Sequence, residues 1–206
     1  MNFTLCKIAL DRPFALGATL GQDCMSLVAE ELEASEHTDT GLLLDLTRAS
    51  GVNASFLKAT VYWALQCGQA HVQQKERIER SAWAVRPLRL YPLITGCKGE
   101  VSEDVHEFFA GRKLPILHVV ERNEAEIVRA CVMGTLDPVL VRTLAALEAR
   151  GEGTAADLAG RSHEKITING WNNRLADLHL LRLAKRRRDG KFWIYTPTAK
   201  GTILCA

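Results

Sequence analysis

The sequence predicts an α/β protein in two parts. A mixed-sheet α/β domain covers residues 1–134, and a helical domain ending in a basic hairpin covers residues 135–206. Three observations predict it. Short apolar strand-like runs alternate with amphipathic helical stretches through the first part, the pattern of an α/β layered sheet. The last third instead reads as three helices followed by two β-like runs flanking Asp189-Gly190. Charge also divides there: residues 135–206 hold 12 Lys and Arg against 7 Asp and Glu, while residues 1–134 hold 14 against 17. A basic module joined to an acidic one is a common arrangement in nucleic-acid-binding proteins.

The bulk numbers narrow the class. The chain has 206 residues, 47% of them apolar and 24% charged, which is enough to bury a core without disulfides. The longest apolar runs, Gly41–Leu46 and Ile116–Val120, are far too short to span a bilayer. The N-terminus lacks a basic region, an apolar stretch and a cleavage site, so a cytoplasmic location without membrane contact is expected. Six cysteines (Cys6, Cys24, Cys67, Cys97, Cys131 and Cys205) show neither Cys-x-x-Cys nor paired His spacing. Reduced, mostly buried thiols are expected, with no metal and no cofactor.

The elements follow in order. Phe3–Leu10 reads as a first strand, broken by Pro13 and Gly17. Gln22–Ala34 is amphipathic, with Met25, Leu27, Val28 and Leu32 apolar. His37–Gly41 is a polar turn, and Leu42–Leu46 suits a buried parallel strand. Asn53 or Ser55 can cap a helix running to about Gly68. Residues 83–94 contain a strand of undefined extent. Ser102, Val105, Phe108 and Phe109 predict a helix ending at Gly111, and Leu114–Val120 a strand. Asn123-Glu124 reads as a turn, and Ile127–Met133 is strand or helix.

Asp137-Pro138 opens a helix, with proline at its first turn. Val139–Ala149 carries Leu140, Leu144 and Leu147 on one face, and Gly151 and Gly153 end it. Thr154 caps a short helix to Ala159, and residues 160–164 turn into a third helix beginning near Thr167. There Ile168, Trp171, Leu175 and Leu178 recur on one buried face, and Asn169, Asn172 and Asn173 stand opposite. Exposed asparagines are poor helix formers, so three in five positions need a reason. An Asn amide pairs bidentately with the adenine edge in the major groove. Gly170 among them would allow close approach of the helix backbone to a duplex. The alternative is that the asparagines cap and fray the helix start.

Leu183–Arg188 and Lys191–Thr196 flank Asp189-Gly190, a signal for a type I′ hairpin. That hairpin carries Lys185, Arg186, Arg187, Arg188 and Lys191, which suit phosphate contact or minor-groove insertion. Asn173-Arg174-Leu175-Ala176-Asp177-Leu178, Leu183, Arg186–Gly190, Tyr195 and Thr198-Ala199-Lys200-Gly201 together resemble the winged helix-turn-helix domains of MarR- and ArsR-type regulators. The resemblance covers about 70 residues and implies duplex-DNA binding. It places the contacts on Thr154, Lys165, Thr167, Asn169, Gly170, Asn172, Asn173 and Arg174 and on the wing cations. Arg182 stands where such helices often carry glycine, which predicts a different turn into the wing.

In the first part no catalytic constellation emerges. Gly17-Ala18-Thr19-Leu20-Gly21 lacks the lysine and hydroxyl of a phosphate loop, and His71, His106 and His118 are widely spaced. No enzyme activity is expected. Leu42–Leu57, with its Leu-Asp-Leu strand end and Asn53-Ala54-Ser55-Phe56 helix start, resembles STAS-like domains of the anti-sigma-factor-antagonist kind. Such domains dock a protein partner and are phosphorylated at this turn. Asn53 replaces their Asp and Ala54 the modified Ser, leaving Asn53 and Ser55 as the candidate partner switch.

Two functions follow. The first is a sequence-specific transcriptional regulator, a homodimer on double-stranded DNA, with the N-terminal domain serving dimerisation or a protein partner. The second is a partner-switching interaction protein whose winged helix binds protein.

Overall fold

The computed structural model describes residues 4–34, 39–72, 89–123, 126–160 and 164–204. Phe3, His37, residues 83–88, Glu124, residues 161–163 and Cys205, all of which carried expectations, lie outside them, as does the side chain of His71.

The first strand is β1 (Thr4–Ala9), and a short β2 (Phe14–Ala15) follows it. The next helix begins earlier than periodicity suggested and is broken: α1 is Ala18–Leu27 and α2 is Ala29–Ala34. Gly17 supplies the non-helical entry at φ 86°, and the buried Val28 leaves helical geometry at φ −108°, ψ 4°. β3 (Thr40–Asp45) is the anticipated buried strand. After β4 (Gly51–Val52), one helical run holds α3 (Ala54–Leu57), a π-helical turn Lys58–Tyr62, and α4 (Trp63–Val72). The π turn lies where α1 comes closest: a Cβ at Gly21 would be 2.7 Å from Ala59 Cβ and 3.1 Å from the Phe56 carbonyl oxygen. β5 (Leu90–Thr95), α5 (Gly99–Ala110), β6 (Pro115–Arg122) and β7 (Ile127–Gly134) complete the first part, the last resolving strand against helix.

The strand order explains what covers what. β1, β3, β5 and β6 are adjacent in that order and all parallel, with β7 antiparallel to β6. Sequential parallel neighbours joined by crossovers of one hand keep every connecting helix on one face. Accordingly Leu42, Leu44, Leu90, Ile94 and Ile116 share a core with Phe56, Val61, Leu65, Val105 and Phe109. The alternate strand residues Leu43, Leu93, Leu117, Val119 and Val132 point the other way.

That second face is covered by the last third. α6 (Pro138–Arg150), α7 (Ala155–Ala159), α8 (Ile168–Leu180) and the hairpin β8 (Ala184–Asp189) with β9 (Phe192–Pro197) follow. Leu144, Leu147, Leu158, Trp171, Leu175, Leu178 and Tyr195 join the sheet residues in one continuous core. The chain then ends the described region in β10 (Ala199–Leu204), which pairs parallel with β7 as the sixth strand of the large sheet. A boundary placed at residue 134 is thus crossed both by this strand and by the shared core. Glu148 of α6 adds a tie, taking bonds from Thr202 of β10 while burial pushes its carboxyl up.

Four described thiols, those of Cys6, Cys24, Cys67 and Cys97, are free and buried, and burial pushes the thiols of Cys67 and Cys97 up to about 12. The reduced state expected for all six is corrected at Cys131, which is in a disulfide. No helix among the described residues is long and apolar enough to cross a membrane.

Candidate nucleic-acid interface

The order α6, a single bridge from Gly153 to Tyr195, α7, α8 and hairpin positions the candidate residues. Local chemistry fixes each helix start. Asp137 accepts from the Val139 N–H at 2.7 Å and holds α6. Thr154 and Asp157 form a reciprocal capping box, with the Asp157 carboxylate on the Thr154 N–H at 2.9 Å. The Thr167 hydroxyl accepts from the Gly170 N–H at 3.2 Å and starts α8. Thr154 and Thr167 therefore have structural work that accounts for them.

α8 buries Trp171, Leu175 and Leu178, as its spacing implied. Ile168 is a correction: it is 51% exposed. Ile166, just before the helix, fills the space instead, packed against the core. The same residue explains Gly170. A Cβ there would lie 2.5 Å from Ile166 Cγ2, so the missing side chain makes room inside the chain rather than for a duplex.

Asn169, Asn172 and Asn173 are exposed, and none makes a side-chain hydrogen bond with another described residue. Lys165, also exposed, precedes them. Arg174 is half-buried and committed: it meets Glu164 at 2.7 Å, and Arg142 of α6 meets the other oxygen at 3.2 Å. Arg174 and then Arg142 hold that carboxyl below its ordinary range.

The hairpin differs in register from the expectation. Asp189 pairs with Phe192, so its loop is Gly190-Lys191 rather than Asp189-Gly190. Only Gly190 takes positive φ, at 56°, which is the pattern of a II′ turn with glycine first. Its cations are not equivalent. Lys185 is half-buried; burial lowers its pKa, against the pull of Asp39 and Glu126 on the sheet side. Arg187 pairs with Glu152 at 3.4 Å and Asp189 at 3.9 Å. Arg186 lies 4.3 Å over the Trp193 ring and donates to Tyr195. Arg188 and Lys191 are exposed, and Arg188 is 5.8 Å from the same indole.

Arg182, where a different turn was expected, adopts the left-handed conformation itself at φ 65°. Its buried side chain lies 5.2 Å over the Tyr91 ring of β5 and bonds the Tyr91 hydroxyl. Thr198 donates to its carbonyl at 2.9 Å. These contacts hold a geometry that glycine would take freely, and they lock the hairpin to the sheet.

The second candidate region lies at the carboxyl ends of the parallel strands. Asn53 Oδ1 accepts from the Phe56 N–H at 3.0 Å and the Gly17 N–H at 3.1 Å, tying two helix starts together. Ser55 is exposed in the first turn of α3. Nearby, Asp45 pairs with Lys7 at 2.7 Å and accepts from the Thr47 hydroxyl at 2.6 Å. Burial opposes its charge, but the bonds from Lys7 and Thr47 outweigh it and hold the carboxyl at about 2. That lies below its ordinary 3.8, so the stabilisation is present above pH 3.8 and is lost as pH falls through 2. We expect Asp45→Asn to cost on the order of 2 kcal/mol at pH 7 in urea unfolding and almost nothing at pH 2. A pH-independent cost would mean the charge is not what stabilises the strand end.

Among the described residues no group of three or more His, Cys, Asp or Glu side chains is placed to hold a metal ion. No family model, curated protein or solved structure matches this chain.

Proposed function

We propose that the last third is a winged helix that binds double-stranded DNA, with α8 entering the major groove and the β8–β9 hairpin lying on the backbone beside it. The observation that carries this reading is the row of Asn169, Asn172 and Asn173, exposed and without side-chain partners among the described residues, on a helix whose opposite face buries Trp171, Leu175 and Leu178. Unpartnered amides on a rigid helix are what adenine readout requires. The chain order of three helices, a one-residue bridge and a hairpin supports the same reading. Because one recognition helix covers few base pairs, a homodimer on a two-fold site is the working unit. The reading makes the protein a cytoplasmic transcriptional regulator.

Internal pairing sharpens which cations matter. Phosphate contact falls on Lys165, Arg188 and Lys191, with Arg186 held in place by Trp193. Arg174, Arg187 and Lys185 have partners within the chain. In fluorescence-anisotropy titrations against salt, Arg188→Ala and Lys191→Ala should each weaken duplex binding and reduce the log–log salt slope by about one. Arg187→Ala should change the slope little. Asn172→Ala should instead relax base preference, by about 1–3 kcal/mol at one position. Absence of salt-dependent duplex affinity in the intact chain would sink the proposal.

Ser55 supports a second element of the reading, a protein partner at the N-terminal part. Its hydroxyl is exposed at a helix start, where an added phosphate would be favourably placed. Asn53 is the cap that fixes this turn. The alternative function, a partner-switching protein whose winged helix binds protein, shares this surface and differs in lacking DNA affinity.

A further inference from the structure

We infer that Phe192 at the hairpin tip is a wedge that enters a base step from the minor groove and kinks the duplex, an inference that rests on the DNA-binding reading above. Phe192 is 66% exposed and belongs to neither core. It is in the last ladder pair before the loop, opposite Asp189. The register fixes the neighbouring chemistry. Trp193 and Arg188 face one side of the hairpin, and Phe192 the other. Lys191 adjoins it in the loop, and the nearby Asp189 carboxylate is turned toward Arg187 at 3.9 Å.

A large apolar ring held out of the molecule needs a partner surface that is apolar yet set in an anionic surround. The exposed Lys191 adjoins the ring in the loop, and the exposed Arg188 stands on the hairpin's other face. A partly opened base step between two phosphate backbones offers that combination. A protein groove would also cover the ring, but it would not by itself call for an exposed lysine beside it and a second exposed cation, Arg188, on the face behind it. The hairpin is rigid enough to hold a wedge. Arg186 is stacked on Trp193 and bonded to Tyr195, and Tyr195 exchanges both backbone bonds with Gly153 at 3.0 and 2.9 Å. The alternation of Phe192 and Trp193 also means the wedge can enter while the indole and its arginines remain on the backbone side. Flexible pyrimidine–purine steps, which open most easily, are the preferred target.

The test uses the full chain and a duplex of about 30 bp with central TA steps, end-labelled for FRET and carrying 2-aminopurine at one central adenine. The intact chain should shorten the end-to-end distance, to a bend within about 20–90°, and raise 2-aminopurine emission by unstacking. Phe192→Ala should abolish both signals and weaken binding on the order of tenfold, while the salt slope stays unchanged. Phe192→Leu, which keeps an apolar wedge, should retain part of the bend. Salt-dependent binding to an unbent duplex by the intact chain would overturn the wedge and leave the DNA-binding reading standing. So would bending that survives Phe192→Ala, which would leave the ring to a protein partner. No salt-dependent binding at all would remove the reading itself and the wedge with it.

Discussion

Replacing Gly134 with alanine should destabilise the protein by on the order of 4 kcal/mol, the sum of a backbone cost and a steric one. Gly134 ends β7 at φ 82°, where the chain leaves the sheet for α6. An L side chain in that region costs about 1–2 kcal/mol. The added Cβ would also overlap the Leu114 carbonyl oxygen and come within 2.7 Å of Phe109 Cβ. That carbonyl accepts the Thr135 N–H at 3.0 Å, and the Gly134 N–H donates to His106 Nδ1 at 3.3 Å, so the corner cannot shift without losing bonds. Gly151 provides the control. It has nearly the same φ, 83°, but nothing lies within 4 Å of its ideal Cβ. Gly151→Ala should therefore cost only the backbone part, about 1–2 kcal/mol. Paired urea titrations of the two variants read the difference, and equal losses would show that the Gly134 corner can relax.

The positions that could be read in advance share a property: their cause is local. Leu42, Leu43, Leu44 and Leu46 are apolar on both sides of the strand because both faces of β3 are covered, and the polar Asp45 stands at its end. Asn53, Asp137, Thr154 and Thr167 cap helices through their own or the next turn, and a window of a few residues contains both partners. Trp171 follows from spacing alone. What escaped has distant causes. β10 pairs with a strand some 70 residues earlier, and nothing in Ala199–Leu204 names that partner. The left-handed Arg182 is held by Tyr91 and Thr198, which arrive from other elements. In the candidate interface the charges of the basic run are visible in sequence, but their neutralisation is not. Glu152 and Glu164 decide which arginines are spent within the chain. Gly170 was legible as a close approach, though the approaching group, Ile166, belongs to the protein.

Lys185 and Arg182 link these two levels. The basic hairpin is not an appendage, because its base is anchored to the sheet beside Asp39 and Tyr91. A Cβ at Gly68 of α4 would fall 2.5 Å from Arg182 Nε and 2.6 Å from the Leu90 carbonyl oxygen, so α4 is pressed against the same junction. An N-terminal signal that moved α4 or the start of β5 would therefore reach the hairpin through packed atoms rather than through a linker.

Trp171→Ala should be the most damaging single substitution in α8, costing about 3–5 kcal/mol. The indole is 2% exposed and sits in the core formed by Leu144, Leu175 and Leu178 together with the sheet residues Leu43 and Leu93. Phenylalanine should be far milder. The buried Trp171 Nε1 has no hydrogen-bond partner among the described residues, and an orphaned donor costs about 1–3 kcal/mol. Removing it offsets much of the volume lost. Arg174, now 5.6 Å from the indole, keeps its pairing with Glu164 in either variant. The form of the loss matters as much as its size. If residues 135–206 folded alone, Trp171→Ala would melt that part and leave the sheet intact, giving two transitions. The shared core and the return of β10 to β7 predict instead one transition, lowered by on the order of 10 °C, with amide protection falling together in β3, β7 and α8. Retained protection in β3 with loss confined to α8 would mean that the contact across the sheet face is too weak to couple the two parts.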